Sequence, residues 1–235
     1  MEAGKLTREG SAKFEKKDFL DFIIENDIVG FFDKPIKLKS GRESNWYVNW
    51  RTVTEDVFLT DKLADYIISF ANQNKIEADT FFGVPEGATK IGIITQYKYA
   101  RQKKDYKKGS SVLAMGRGKP KEHGDPKDRY FLGIPRGKTV VIEDVTTTGG
   151  SLLETIKKLR EVNVEVVAAI GLTNRMEKRE DGKSVEEALA KEGIKYYAMS
   201  EATELLPIVM KIKNVSEETK KSVIEYFRKY GIKEI

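Results

Sequence analysis

The sequence predicts an α/β protein, a parallel sheet flanked by helices with an N-terminal hood. One domain is expected, with the hood over roughly residues 1–55 and the core over roughly 56–235. Two observations carry this. From residue 80 onward, short apolar runs alternate with helical patterns, the signature of a parallel sheet covered on both faces. Before that point the rhythm differs, with one helical stretch followed by a hairpin-like unit.

The elements follow in order. Residues 14–28 bring Phe19, Phe22, Ile23 and Ile24 near helical spacing. In "IKLKSGRESNWYVNWR", Ile36 and Leu38 alternate with lysines, Ser40-Gly41 marks a turn, and Trp46 to Trp50 reads as extended. A helix is expected from Thr60, with Leu63, Ile67 and Phe70 inward. Next come a strand at "TFFGV", a helix at "ATKIGIITQYKYA" and a strand at "SSVLAM". "TVVIED" is a strand and "SLLETIKKLREV" a helix; "VEVVAAIGL", "SVEEALAKEG" and "KYYAMS" are strand, helix and strand. A last helix is expected near 216–230. Residues 116–130, rich in Gly, Lys and Pro, form a long connection without periodicity, the kind that is usually functional or disordered.

Composition narrows the function classes. The 235 residues contain no cysteine, which excludes disulfides and thiolate zinc sites, and one histidine, which excludes a multi-histidine metal site. No apolar run reaches the roughly 18 residues of a membrane span, and "MEAGKLTREG" lacks the apolar centre of a secretion signal. A cytoplasmic protein without membrane contact is expected. The net charge of +5 favours anionic partners, nucleic acid or phosphorylated small molecules, although so small an excess also fits a solvated basic surface.

"VVIEDVTTTGGS" (140–151) is the most informative stretch. Adjacent acids at the end of an apolar strand repel and are costly to desolvate. Ligands of open parallel sheets bind beyond the carboxyl ends of the strands, where Glu143 and Asp144 fall. The Thr/Gly run that follows enters a helix whose free N–H groups form an anion site. A phosphate cradle thus adjoins acceptors suited to sugar hydroxyls or magnesium. The plainer reading of "SLLE", a capping box from Ser151 to Glu154, leaves the two acids and three threonines unexplained. Two other nucleotide motifs fail: a P-loop ending at "GKT" (137–139) needs glycine where Leu132 stands, and "GRGKPK" (116–121) lacks the third glycine of a dinucleotide fingerprint.

An apolar strand, two acids and a Thr/Gly turn resemble the phosphoribosyl pyrophosphate (PRPP) signature of type I phosphoribosyltransferases. "LKSGRES" (38–44), "GRGKPKEHG" (116–124) and "LTNR" (172–175) resemble, in that order, three features of orotate phosphoribosyltransferases. The resemblance runs from about residue 19 to about 210. It implies a type I phosphoribosyltransferase-like fold and conversion of orotate and PRPP to orotidine 5'-monophosphate and pyrophosphate with Mg2+, in pyrimidine biosynthesis. By matching position, Glu143, Asp144, Thr146, Thr147, Thr148, Gly149, Gly150 and Ser151 would bind PRPP, and Lys39, Thr147 and Arg175 orotate. The mobile loop would supply Arg117, Lys119, Lys121 and His123 to the pyrophosphate in the neighbouring subunit of a homodimer. Alone, Lys39 reads as a solvated strand lysine, Arg175 as a surface ion pair with Glu177 or Glu180, and His123 as an ordinary loop residue; their joint order gives them weight.

Two positions depart from the pattern. Gly118 follows Arg117 where the family often has a second basic residue, with Lys119 next to it. "GVPEGATKIG" stands where many relatives read "GPAYKG", so Glu86-Gly87 replaces a tyrosine-lysine pair and Lys90 is the nearby cation. The other readings are a phosphoribosyltransferase of another base and a PRPP-sensing regulator that binds nucleic acid. The basic run "KYARQKKDYKKG" (98–109) motivates the regulator but reads first as a solvated helix end and loop.

Overall fold

The computed structural model describes residues 13–38, 40–123 and 129–235. Its centre is a four-stranded parallel sheet in the order β3 (Thr80–Gly83), β6 (Thr139–Thr146), β7 (Val166–Asn174) and β8 (Lys195–Glu201). The hood contributes α1 (Lys16–Glu25) and an antiparallel hairpin of β1 (Val29–Lys37) and β2 (Glu43–Val48). Gly41 turns the hairpin at φ +81°, a conformation that glycine adopts without steric cost. A helical turn at Val53–Glu55 leads into α2 (Val57–Gln73), capped by Asp56, whose side chain accepts from the Leu59 N–H.

Strand alternation sends successive side chains to opposite faces and so makes two cores. Val140 and Ile142 of β6 and Ala168, Ile170 and Leu172 of β7 enter the larger core. They meet α1, α2, α6 (Ala202–Ile212) and α7 (Glu217–Tyr230) through residues such as Phe19, Leu63, Leu206 and Phe227. Val141 and Ala169 face the smaller core, with Leu152 and Ile156 of α4 (Gly150–Glu161) and Leu189 of α5 (Val185–Lys191). Trp46 and Trp50 are fully buried in the larger core, which ties the hood to the sheet. α3 (Thr89–Gln102) packs on β3 so closely that a Cβ on Gly92 would lie 2.3 Å from the Gly83 nitrogen.

Three local expectations need correction. "SSVLAM" does not join the parallel sheet. Only Met115–Gly116 (β4) is extended, and it pairs antiparallel with Phe131–Leu132 (β5) as the base of a hairpin. The Gln96 side chain occupies the Val112 carbonyl instead, and Leu113 faces solvent. α6 has no counterpart in the sequence reading because Pro207 lies inside it and it follows β8 without a loop. Trp50 lies in a turn beyond β2 rather than in the strand.

Candidate active site

β6 ends at Thr146, and α4 begins four residues later. Between them the chain turns at Gly149, the N-cap of α4, in the left-handed region at φ +72°. A Cβ there would also lie 2.5 Å from Val185 Cγ2, so glycine is required on two counts. Its N-cap residue, a glycine, makes no side-chain cap. The capping box expected from Ser151 to Glu154 is absent: Ser151 lies inside the helix, and Glu154 accepts from Lys158 one turn on. The box forms instead at Ser184 and Glu187 of α5. The terminus of α4 is a glycine-led helix N-terminus, the general geometry of an anion site.

This turn opens on a cleft of about 540 Å³. Glu143, Thr146 to Ser151 and Arg175 line it, opposite Leu38, Ser40, Tyr47 and Val48 of the hood. The phosphate-type loop and the "LTNR" arginine therefore share one cavity. The adjacent acids diverge, as strand alternation demands. Glu143 is buried at the cleft wall, whereas the Asp144 carboxylate packs against Gly87, where a Cβ would lie 2.2 Å from it.

The three threonines also differ. Thr146 is buried, and its Oγ1 accepts a 2.9 Å hydrogen bond from the Tyr196 hydroxyl of β8, while its carbonyl accepts from Arg175 N. Its hydroxyl braces the sheet. Thr147 and Thr148 are half-buried at the cleft, and the Thr148 carbonyl accepts from Arg179 Nη1. Arg179 was not singled out from sequence; its place beside the loop follows from a turn after β7 that no motif marks.

Arg175 is not a surface residue. Its side chain is only 3% exposed, lies 3.6 Å above the Trp46 ring and donates from Nε to Glu177 Oε1 at 2.6 Å. Glu177 was named from sequence as a partner, but both groups are buried. Lys39 lies outside the described residues.

The basic loop rises from the β4–β5 hairpin, held by Arg117 N to the Tyr130 carbonyl and Lys121 N to the Arg129 carbonyl, both 2.8 Å. Arg117 lines a second cavity of about 180 Å³ that shares Ser151 and Glu154 with the main cleft. Lys119, Lys121 and His123 are exposed and line neither cavity. The two departures from the family pattern meet in space: a Cβ on Gly118 would lie 2.1 Å from Glu86 Oε1. Lys90 is engaged elsewhere, donating to the Thr54 carbonyl at 3.1 Å. Within the basic run, Lys98 pairs with Asp61 and Asp65, and Lys103 with Asp79.

Among the described residues, no group of three acidic or histidine side chains forms a metal cage. No helix among the described residues is long and apolar enough to cross a membrane.

The geometry agrees with what the chain resembles. An orotate phosphoribosyltransferase of Agathobacter rectalis is 32% identical over 93% of this chain and 98% of the relative. One of Clostridium botulinum is 31% identical over 93% and 98%. Among solved structures, orotate phosphoribosyltransferase of Francisella tularensis matches with a TM-score of 0.65 at 21% identity, covering 91% of this chain and 99% of that one. UMP synthase of Leishmania donovani matches at 0.67 and 20% identity, covering 90% of this chain and 42% of that one. The phosphoribosyl transferase domain model matches residues 61–196, which span β3, β6, α4 and β7, and the chain belongs to that family.

Proposed function

We propose that this protein is an orotate phosphoribosyltransferase, which joins orotate to the ribose of PRPP and releases pyrophosphate. The observation that carries the reading is the shared cleft: the 147–151 turn and Arg175 open on one cavity beneath the hood. The curated relatives bear this enzyme's name over nearly their whole length, which favours an enzyme over a nucleic-acid-binding regulator.

The residues divide the work as follows. The backbone N–H groups around Gly149 and Gly150 hold the 5-phosphate, aided by the α4 dipole. Glu143 accepts from a ribose hydroxyl. Thr147 and Arg175 meet orotate, Arg175 through the orotate carboxylate, and Lys39 is a further orotate contact by the resemblance. In the reaction the bond from the anomeric carbon to pyrophosphate breaks and a bond to the base forms, through an oxocarbenium-like state. Negative charge grows on the departing pyrophosphate. Arg117, Lys119, Lys121 and His123 supply fixed positive charge there, which counts for most when the loop closes and excludes water. Magnesium, when brought in with PRPP, would supply further compensation for the leaving group's charge beside Arg117, Lys119, Lys121 and His123.

The exposure of Lys119, Lys121 and His123 fits a loop that serves the neighbouring subunit of a homodimer. One domain, with the hood as part of the cleft, and a cytoplasmic setting complete the reading. Incubation of the purified protein with orotate, PRPP and magnesium tests it through the loss of orotate absorbance. Turnover with a purine or another pyrimidine, and none with orotate, would keep the class and reject the base.

A further inference from the structure

Glu177 binds two arginines at once. Its Oε1 accepts from Arg175 Nε and its Oε2 from Arg42 Nη1, both at 2.6 Å. The Glu177 side chain is fully buried, and those of Arg175 and Arg42 are 3% and 14% exposed. Arg42 comes from the hood, just before β2. Its Nη2 donates to the Lys178 carbonyl at 2.6 Å, and its guanidinium lies 4.7 Å from the Tyr230 ring centre of α7. Three formal charges, two positive and one negative, thus sit in one buried cluster with a net charge of +1.

That balance has a consequence at the cleft. Arg175 and Glu177 alone form a neutral pair, and a neutral pair gives an incoming carboxylate little net attraction. Arg42 draws on the same carboxylate and leaves the cluster one positive charge in surplus. A buried surplus charge is costly unless an opposite charge meets it. Arg175 also donates from Nη2 to Ser44 Oγ at 3.3 Å, and it lines the cleft.

We propose that Arg42 is a positioning residue for substrate selection: by sharing Glu177 it keeps Arg175 net positive toward the carboxylate of the incoming base, without touching that base. The proposal rests on the reading that Arg175 meets the orotate carboxylate.

Charge rescue tests it. Arg42→Ala is expected to raise KM for orotate about tenfold or more, while KM for PRPP stays within about twofold. The double variant Arg42→Ala/Glu177→Gln restores the net +1 and keeps an acceptor for Arg175 Nε, so it is expected to recover most of the lost orotate affinity. Arg42→Lys retains the charge but not the second hydrogen bond to the Lys178 carbonyl, so it should lose less orotate affinity than Arg42→Ala, which keeps the test informative if the alanine variant folds poorly. An unchanged orotate KM in Arg42→Ala, or a double variant no better than Arg42→Ala, overturns the proposal. Arg175→Ala serves as the control. If it leaves orotate KM unchanged, the underlying assignment of Arg175 fails; if it raises KM and Arg42→Ala does not, only the shared-charge inference fails.

Discussion

The Tyr196 hydroxyl donates to Thr146 Oγ1 across 2.9 Å in the buried sheet. This bond separates Thr146 from the two threonines that follow it. Thr146→Val leaves the Tyr196 hydroxyl without its acceptor, and a buried unpaired donor costs about 1–3 kcal/mol. Urea unfolding is expected to show that loss, with KM for PRPP nearly unchanged. Thr148→Val is expected to do the reverse.

Gly149 faces two constraints, its positive φ and the approach of Val185. Gly149→Ala is expected to destabilise the fold by about 1–3 kcal/mol and to weaken PRPP binding. Adding Val185→Ala relieves the contact but not the backbone strain, so thermal melts should show partial recovery.

Alkaline pH reads the buried phenols. Burial raises the Tyr196 hydroxyl above its usual value, partly offset by the bond to Thr146. Burial, followed by the nearby Glu177 charge, pushes Tyr226 up to about 12. The unfolded chain releases these protons near pH 10, so it binds fewer protons than the folded chain above that pH. Stability is therefore fully present below about pH 10 and falls as pH rises toward about 12. Tyr226→Phe removes one of the two titrating phenols. Denaturation midpoints between pH 8 and 11 should fall less steeply in that variant.

Lys121 and Arg175 should separate in kinetics. Lys121→Ala is expected to lower kcat by about a hundredfold or more, with a smaller change in PRPP affinity, because growing charge on the leaving group is met mainly in the transition state. Arg175→Ala should raise KM for orotate instead. Steady-state kinetics with each substrate varied in turn checks both, and an intact kcat in Lys121→Ala would remove the loop from the chemistry.

Much of the fold was readable because its periodicities are strong. Val140 to Ile142 and Ala168 to Leu172 read as buried strands, and Leu63, Ile67 and Phe70 as one helical face. α6 was missed although Leu205, Leu206, Val209 and Met210 follow helical spacing, because Pro207 reads as a breaker. "SSVLAM" misled because a short apolar run does not reveal its pairing partner. At the site, the motif placed Glu143 and Gly149 in the cleft. It did not reveal that the Thr146 hydroxyl is engaged by Tyr196 or that Asp144 packs against Gly87. The burial of Arg175 depends on Trp46 and Arg42, which lie more than 120 residues earlier in the chain.

The central claim is that one cleft joins orotate to the ribose of PRPP. The most direct measurement follows orotate absorbance and released pyrophosphate together in one reaction with purified protein, PRPP and magnesium. The account predicts that one pyrophosphate appears for each orotate consumed, and that neither changes when PRPP is omitted. Pyrophosphate release without loss of orotate, or no reaction with orotate alongside turnover of another base, would contradict it.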